Sequence, residues 1–287
     1  MGLISNILFP VDFSPSCVAM APYVKRAAAI LSARVSLIHV FDPNSYTGVE
    51  VYVRGPMVIA DEHRQLASQR LDAFLHKEFP PSHHPRILVS GGVAEGISET
   101  ARSGFDLIIM PTHAGVFRRM LLGSTVAKVL NDADCPVETS RHAETIAPRP
   151  MEHREFLCAI GLTDDSERVL RFAHQLSTEA GAQLRILHAI QSADPRLPVR
   201  LDLEEQVQSV ERLQARERIE ALQQKMGSRA RVRIAIGPVK EALLLAVRQS
   251  DADALIIGRS PRSGAEGRLR DLTYSMVRDS PVPVISV

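Results

Sequence analysis

The chain has 287 residues, of which 45% are hydrophobic and 23% charged, and its formal net charge is +1. This composition is typical of a soluble globular protein of about two domains, and the charge gives no general attraction to nucleic acid or to an anionic membrane. No segment approaches the roughly 20 consecutive apolar residues of a membrane span. Three scattered cysteines match neither a disulfide framework nor a metal site. We therefore expect a cytoplasmic protein with no membrane or nucleic-acid partner.

Strand-like and helix-like segments alternate through the first half of the chain. The first strand, Ile4–Phe9, is predicted to stop at Pro10, because proline does not continue a central strand. A helix from about Ser16 to Leu31 follows, and its predicted buried face comprises Val18, Ala21, Val24, Ala28 and Leu31. Later strands are predicted at Val35–Val40, Arg86–Ser90 and Asp106–Met110, and later helices at Val58–Glu78, Val93–Ser103 and Leu121–Leu130. This alternation predicts a parallel sheet with helices on both faces.

Two places in this half have residues suited to a ligand. Asp12 follows the first strand, at the carboxyl end where open parallel sheets bind ligands, although a turn or capping role fits equally well. Gly123, Ser124 and Thr125 begin a helix after the strand Asp106–Met110. Free backbone N–H groups and the helix dipole at such a point suit a phosphate, and helix capping is the alternative.

The histidines do not form a predicted metal site. His83 and His84 lie among prolines, and His39 and His188 end equivalent strands, with no carboxylate or cysteine at ligand spacing. We expect these side chains to be packed or solvated.

The second half repeats the first. The segment from Asp106 recurs from Asp253, and Cys135-Pro136-Val137 recurs at Val282-Pro283-Val284, with a constant offset of 147 residues. The strand with His39 recurs around His188, at an offset of 149. The two copies predict domains at residues 1–140 and 155–287, joined by a proline-containing charged linker at 141–154.

Helices of the second half are predicted at Ser166–Ala180 and Leu201–Met226, and strands at Phe156–Ile160 and Leu184–Ile190. An apolar stripe on the longer helix should cover a sheet; it comprises Leu203, Val207, Val210, Leu213, Ile219, Leu222 and Met226. Arg229, Arg231 and Arg233 alternate along one strand. Without aromatic neighbours they indicate a solvated edge rather than a nucleic-acid surface.

These repeated segments resemble the universal stress protein family in its tandem two-domain form. The resemblance rests on Ile7–Asp12, His39-Val40, the strand Asp106–Met110, Leu121–Ser124 and Cys135–Val137, and it covers nearly all of both halves. It implies two doubly wound, Rossmann-like parallel five-strand sheets of the adenine nucleotide alpha hydrolase type, each ordered 3-2-1-4-5. It also implies an intramolecular pseudo-dimer in which the two domains pair through their last strands, with a homodimer as a further option.

In ATP-binding members of the family, a G-x2-G-x9-G-[ST] loop holds the phosphates. The Asp after the first strand and the backbone at the end of the second hold the adenine and ribose. The resemblance carries these roles to Pro10, Val11, Asp12, Val40, Met110, Pro111, Thr112, His113, Gly123, Ser124 and Thr125.

The sequence departs from that motif at several positions. Pro111 and Ala114 replace the two leading glycines, and the loop is one residue short, so side chains of Thr112, His113 and Arg118 or Arg119 would have to compensate. In the second half Gly161 replaces the Asp, and Arg270-Asp271 replaces Gly123-Ser124, although Gly258 remains. We expect that second site to be empty or to hold another ligand.

Three functions remain open from the sequence. The first is a stress-response regulator whose N-terminal domain binds ATP, with Mg²⁺ held mostly by phosphates and water. The second is an interaction scaffold with vestigial sites and an unknown protein partner. The third is a nucleotide-hydrolysing or adenylating enzyme. Because no general base or nucleophile is evident near Gly123, we expect at most a slow ATPase.

Overall fold

A computed structural model describes residues 2–42, 56–112, 122–140, 153–191, 201–259 and 271–287, with side chains omitted at 56–60, 201–207 and 271. The chain divides into two compact units, Met1–Met151 and Glu152–Val287. The predicted linker 141–154 lies almost wholly outside the described residues, so the linker stays a prediction. None of the helices that the structure describes combines the length and the apolar composition of a membrane-spanning segment.

The described part of unit 1 alternates strands and helices as the sequence predicts. Its elements are β1 (Asn6–Pro10), α1 (Pro15–Leu31), β2 (Arg34–Phe41), α2 (Pro56–Ala73), β3 (Arg86–Ser90), α3 (Val93–Arg102), β4 (Leu107–Pro111), α4 (Ser124–Asp132) and β5 (Val137–Ser140). All neighbouring strands are parallel, in the order β3-β2-β1-β4-β5. This is the predicted doubly wound order.

The described part of unit 2 repeats that order as β8-β7-β6-β9-β10, again with parallel neighbours. Its elements are β6 (Glu155–Ala159), α5 (Ser166–Ala180), β7 (Gln183–Ile190), α6 (Leu201–Met226), β8 (Arg231–Ile236), α7 (Val239–Arg248), β9 (Ala254–Ile257), α8 (Asp271–Asp279) and β10 (Val284–Ser286). Both units are therefore α/β domains of one topology.

The central strands form the core of each unit. In β1, Ile7, Leu8 and Phe9 are fully buried, and β9 is buried along its whole length. Strands covered on both faces need continuous apolar runs, which is why these segments lack the alternation of half-exposed strands.

Two prolines lie further inside the sheet than the sequence predicts. Pro10 is the last residue of β1 and pairs with Ile38, and Pro111 is the last residue of β4 and pairs with Ser140. A proline fits there because it lacks only an N–H group, and the ladder continues through the next residue: Val11 N–H donates to Ile38 O at 2.8 Å.

Two predicted helix faces are partly wrong. In α1, Val18 is 50% exposed, and the buried face instead includes Cys17, Met20 and Tyr23. In α6, Val210 and Leu213 are 55% and 59% exposed. Both side chains line a pocket together with Ile234 of β8, so they lie over the strand without packing closely against it.

Candidate functional site

The candidate site lies where the order in which strands are added to the sheet of unit 1 reverses, at the carboxyl ends of β1 and β4. From β1 the chain builds outward through β2 and β3, then returns to add β4 and β5 on the other side. Such a switch point leaves a crevice that open α/β sheets use for ligands. The β1–β4 register pairs Ile7 with Leu107 and Leu8 with Ile108. If this register is continued to the ends of the two strands, Asp12 lies opposite Thr112.

Asp12 is exposed and lies at the start of the turn into α1. Its Oδ1 accepts hydrogen bonds from the Ser14 N–H, at 3.0 Å, and from the Cys17 thiol, at 3.2 Å. The turn role predicted as one alternative is therefore present. It does not exclude a ligand role, because a carboxylate offers about four acceptor positions on two oxygens.

The backbone beside Asp12 is held by its neighbours. Phe13 has a φ of 64°, a left-handed conformation that is uncommon for a bulky residue. His39 contacts this turn through its Nδ1, which lies 2.8 Å from Val11 O and donates to it, since a carbonyl oxygen only accepts. The Phe13 ring packs 4.3 Å from the His39 ring, and the Arg70 guanidinium lies 4.5 Å from the Phe13 centroid. His39 is thus a packed residue, as predicted.

Val40, near the end of β2, is buried and pairs with Val89 of β3. Helix α3 approaches it closely at Gly96, where an added Cβ would lie 3.1 Å from both Val40 methyl groups. The position of Val40 is therefore fixed by packing from the helix side.

Met110, Pro111 and Thr112 form the end of β4 and the exit from the sheet, and all three are buried. The Thr112 N–H donates to Ser140 O at 3.0 Å, so it extends the β4–β5 ladder. Because Pro111 has no N–H, neither residue supplies a backbone donor to a phosphate. The Thr112 hydroxyl is different: it is buried, in a residue 6% exposed, and has no hydrogen-bond partner within the described part of the chain.

Gly123 is the N-cap of α4, and Ser124 and Thr125 are the first two helical residues. The capping alternative is therefore confirmed in part: the N-cap lies in this segment, but it is Gly123, which has no side chain, so neither hydroxyl caps the helix. Gly123 has a φ of −59°, which any residue adopts, and an added Cβ would meet nothing within 4 Å among the described residues. Neither strain nor packing there requires a glycine.

The predicted residues that the structure describes fall into two groups. Pro10, Val11 and Asp12 end β1 beside Met110, Pro111 and Thr112 of the adjacent strand β4, and Val40 ends β2 on the other side of β1. Gly123, Ser124 and Thr125 begin the helix that follows β4. His113, Ala114, Arg118 and Arg119 lie outside the described residues.

Cys17, which contacts Asp12 from the first turn of α1, is not among the residues predicted from the sequence. A cysteine five residues after the aspartate was its only signal, and the contact depends on the left-handed Phe13 between them.

Unit 2 keeps the turn geometry but not the chemistry. Leu162 has a φ of 56°, and His188 Nδ1 contacts Ile160 O at 2.8 Å, as at the equivalent positions of unit 1. Gly161 offers no carboxylate. Arg168 of α5 donates to the carbonyl oxygen of Arg259 at 3.1 Å, so a guanidinium lies at the carboxyl end of β9.

Glycine 258, which matches the family motif, has a packing role. An added Cβ there would lie 2.9 Å from a methyl group of Val169. Its presence in unit 2 therefore does not indicate a phosphate loop.

Among the described residues, no group of three or more His, Cys, Asp and Glu side chains could hold a metal ion.

Comparisons with known proteins agree with this architecture. The chain is 23% identical over 270 residues to Universal stress protein Rv2623 of Mycobacterium tuberculosis strain H37Rv, covering 92% of this chain and 89% of that protein. The fold resembles a universal stress protein from Archaeoglobus fulgidus DSM 4304, with a TM-score of 0.64, 19% identity and coverage of 98% of this chain and 97% of that one. It also resembles PA1789 from Pseudomonas aeruginosa PAO1, whose function is unknown, with a TM-score of 0.65, 16% identity and coverage of 99% and 92%.

The family model named universal stress protein family matches residues 4–139 and again residues 152–287. These two matches account for nearly the whole chain and correspond to the two units. The chain therefore belongs to the universal stress protein family, as a tandem two-domain member.

Proposed function

We propose that unit 1 binds an adenine nucleotide, ATP with Mg²⁺, and that the protein acts as a cytoplasmic stress-response regulator through this binding. The cytoplasmic location is supported by three free cysteines, Cys17, Cys135 and Cys158, since thiols persist in a reducing compartment.

The observation that carries this proposal is the state of Thr112, which follows β4, and of Gly123, which is the N-cap of α4. A buried hydroxyl without a partner costs free energy unless something bonds to it. No contact with a described residue explains why position 123 is a glycine. A bound phosphate group accounts for both observations. It accepts a hydrogen bond from the Thr112 hydroxyl, and it must come close to the N-terminus of α4, where a glycine leaves room for it.

The remaining residues take complementary roles. Asp12 accepts from ribose hydroxyl groups, and the backbone of Val11 and Val40 borders the adenine. Ser124 and Thr125 add hydroxyl donors in the first turn of α4. Bound Mg²⁺ would neutralise charge on the phosphates, held by phosphate oxygens and water. Because the donors at β4 are side chains rather than amides, we expect weaker binding than a complete glycine loop would give.

Equilibrium titration of the intact protein with ATP and Mg²⁺ tests the proposal. The decisive variant is Gly123→Val, which places a side chain in space left open by the described residues. We expect at least a tenfold loss of affinity, while the free energy of unfolding changes by about 1 kcal/mol or less. Gly161→Ala, at the unit 2 position equivalent to Asp12, is the control and should leave affinity unchanged. Affinity weaker than millimolar in the wild type, or no effect of Gly123→Val, would remove the proposal.

A scaffold without a nucleotide is the second candidate function. It is favoured by the backbone of Pro111 and Thr112, because the first has no N–H and the second donates to Ser140. In this case the two domains would serve as an intramolecular pseudo-dimer for a protein partner, alone or as a homodimer. Mass spectrometry of protein purified without added ligand separates the two candidates, since co-purified adenine nucleotide contradicts the scaffold.

A further inference from the structure

Cys17 is buried against the carboxylate proposed to meet the nucleotide. The residue is 1% exposed, and its Sγ lies 3.2 Å from Asp12 Oδ1. The same oxygen accepts the Ser14 N–H at 3.0 Å. Among the described residues, Asp12 Oδ1 therefore accepts from two donors, one from the turn and one from α1.

The thiol can act as this donor only while it keeps its proton. Burial is the main cause that raises the pKa of the Cys17 thiol to about 12, and the neighbouring Asp12 charge acts in the same direction. At neutral pH the group is S–H, so the contact is a hydrogen bond to a carboxylate rather than repulsion between two anions.

The second copy of the domain provides an internal comparison. Ser166 occupies the position equivalent to Cys17 and is 3% exposed. Its hydroxyl has no hydrogen-bond partner in the part of the chain that the structure describes, and the position equivalent to Asp12 is Gly161. A small donor is thus buried at this position in both copies, but only unit 1 retains the carboxylate that accepts from it.

We propose that Cys17 is a positioning residue that orients the Asp12 carboxylate toward the ribose hydroxyl groups of the bound nucleotide. This inference rests on the proposed function. Two donors on Oδ1 restrict rotation of the short Asp side chain, which is otherwise exposed. Removing the thiol takes away one of the two donors that Oδ1 has among the described residues. More of the rotation of the carboxylate is then lost only when the ligand binds, and that loss lowers affinity.

The test compares ATP with 2′-deoxyATP and 3′-deoxyATP in the intact protein. Loss of one hydrogen bond of about 1 kcal/mol corresponds to roughly fivefold in affinity. We expect Cys17→Ala to weaken ATP binding by about this factor while leaving unchanged the binding of the analogue that lacks the hydroxyl bound by Asp12. Cys17→Ser should restore ATP binding, because Ser166 shows that a serine fits this position. Ser166→Ala is the matched control and should have no effect.

Two results overturn the inference while the proposed function stands: equal losses for ATP and both analogues, or a Cys17→Ser variant as weak as Cys17→Ala. If Cys17→Ala does not fold, Cys17→Val fills a similar volume without a donor and replaces it.

A second measurement needs no nucleotide. The carboxyl ¹³C chemical shift of Asp12 should change in Cys17→Ala and stay constant in Ser166→Ala. An unchanged shift in Cys17→Ala contradicts the Cys17–Asp12 contact itself, whereas absence of ATP binding in the wild type contradicts the proposed function and leaves the contact in place.

Discussion

Tyr23 and Glu138 form a polar pair in the interior of the protein. The Tyr23 hydroxyl donates to Glu138 Oε1, and both side chains are buried. The equivalent positions of unit 2 are Phe172 and Ile285, which are also buried. Both members of the pair are thus apolar in the other copy, as expected if one polar partner without the other leaves a costly buried group.

The Tyr23–Glu138 pair predicts a dependence of stability on pH. Burial raises the pKa of Glu138 from 4.5 to about 8. Between these two pH values the folded protein holds a proton on Glu138 that the unfolded chain releases. The contribution of Glu138 to the free energy of unfolding is therefore fully present below pH 4.5 and decreases as the pH rises toward 8. The slope contributed by this group is at most about 1.4 kcal/mol per pH unit.

Glu138→Gln should remove this contribution, because glutamine stays neutral and keeps an oxygen that accepts from Tyr23. Urea unfolding at pH 5, 6, 7 and 8 would show similar stabilities at pH 5 and a more stable variant at pH 8. Parallel curves for the two proteins would mean that Glu138 is already charged at neutral pH.

Residue-scale chemistry was only partly predictable. The sequence predicts that Asp12 follows a strand, that Gly123 lies at the start of a helix and that His39 is packed, because these positions depend on strand ends and residue types. The Cys17–Asp12 contact does not, because it depends on the left-handed backbone at Phe13, and sequence patterns do not specify that conformation for a phenylalanine.

At the scale of elements, an aspartate joins the starts of two adjacent strands in each unit. Asp106 Oδ2 accepts the N–H groups of Ser5 and Asn6, at 2.8 and 2.9 Å. Asp253 Oδ2 accepts those of Arg154 and Glu155, at 2.6 and 3.0 Å. In unit 1, the carboxylate just before β4 therefore accepts from amides at the start of β1. In unit 2, the carboxylate just before β9 accepts from amides at the start of β6.

Asp106→Ala should destabilise the protein, since two charge-assisted hydrogen bonds to backbone amides are lost together. We expect a decrease of about 2 kcal/mol in the free energy of unfolding, whereas Asp106→Asn should retain most of it by keeping one acceptor oxygen. Asp61→Ala, at an exposed position of α2, is the control and should change stability by less than about 0.5 kcal/mol. Equal effects of Asp106→Ala and Asp61→Ala in urea titrations would contradict the proposed role.

Most elements were predictable because both copies carry the same alternation. Arg86–Ser90, Ser166–Ala180 and Leu201–Met226 agree with the prediction at both ends. The predictions of strand ends and of buried helix faces were wrong where packing in the folded domain, which the local sequence pattern does not specify, determines the outcome. Proline ends a central strand without breaking it, and Val210 and Leu213 line a pocket with Ile234 of β8 instead of packing closely against the strand.

At the scale of the whole molecule, two copies of one fold have different chemistry at the same place. Unit 1 has a carboxylate at Asp12 and a hydroxyl at Thr112. Unit 2 has Gly161 and Arg259 at these positions, with Arg168 bonded to the Arg259 carbonyl oxygen. The duplication preserved the sheet while the two switch points diverged.

We therefore expect one adenine nucleotide per chain. Isothermal titration should give a stoichiometry near one, with an affinity that is lowered by Asp12→Ala and unchanged by Arg168→Ala. A stoichiometry of two, or an affinity lowered by Arg168→Ala, would place a nucleotide in unit 2.

The burial of two of the three thiols has a practical consequence. Burial raises the pKa of Cys17 and of Cys158 to about 12, whereas Cys135, between α4 and β5, is partly exposed. Thiolates are the form that reacts with maleimides, so labelling of the native protein should occur at Cys135. A fluorophore attached there would report changes near the helix that begins at Gly123, without any engineered cysteine.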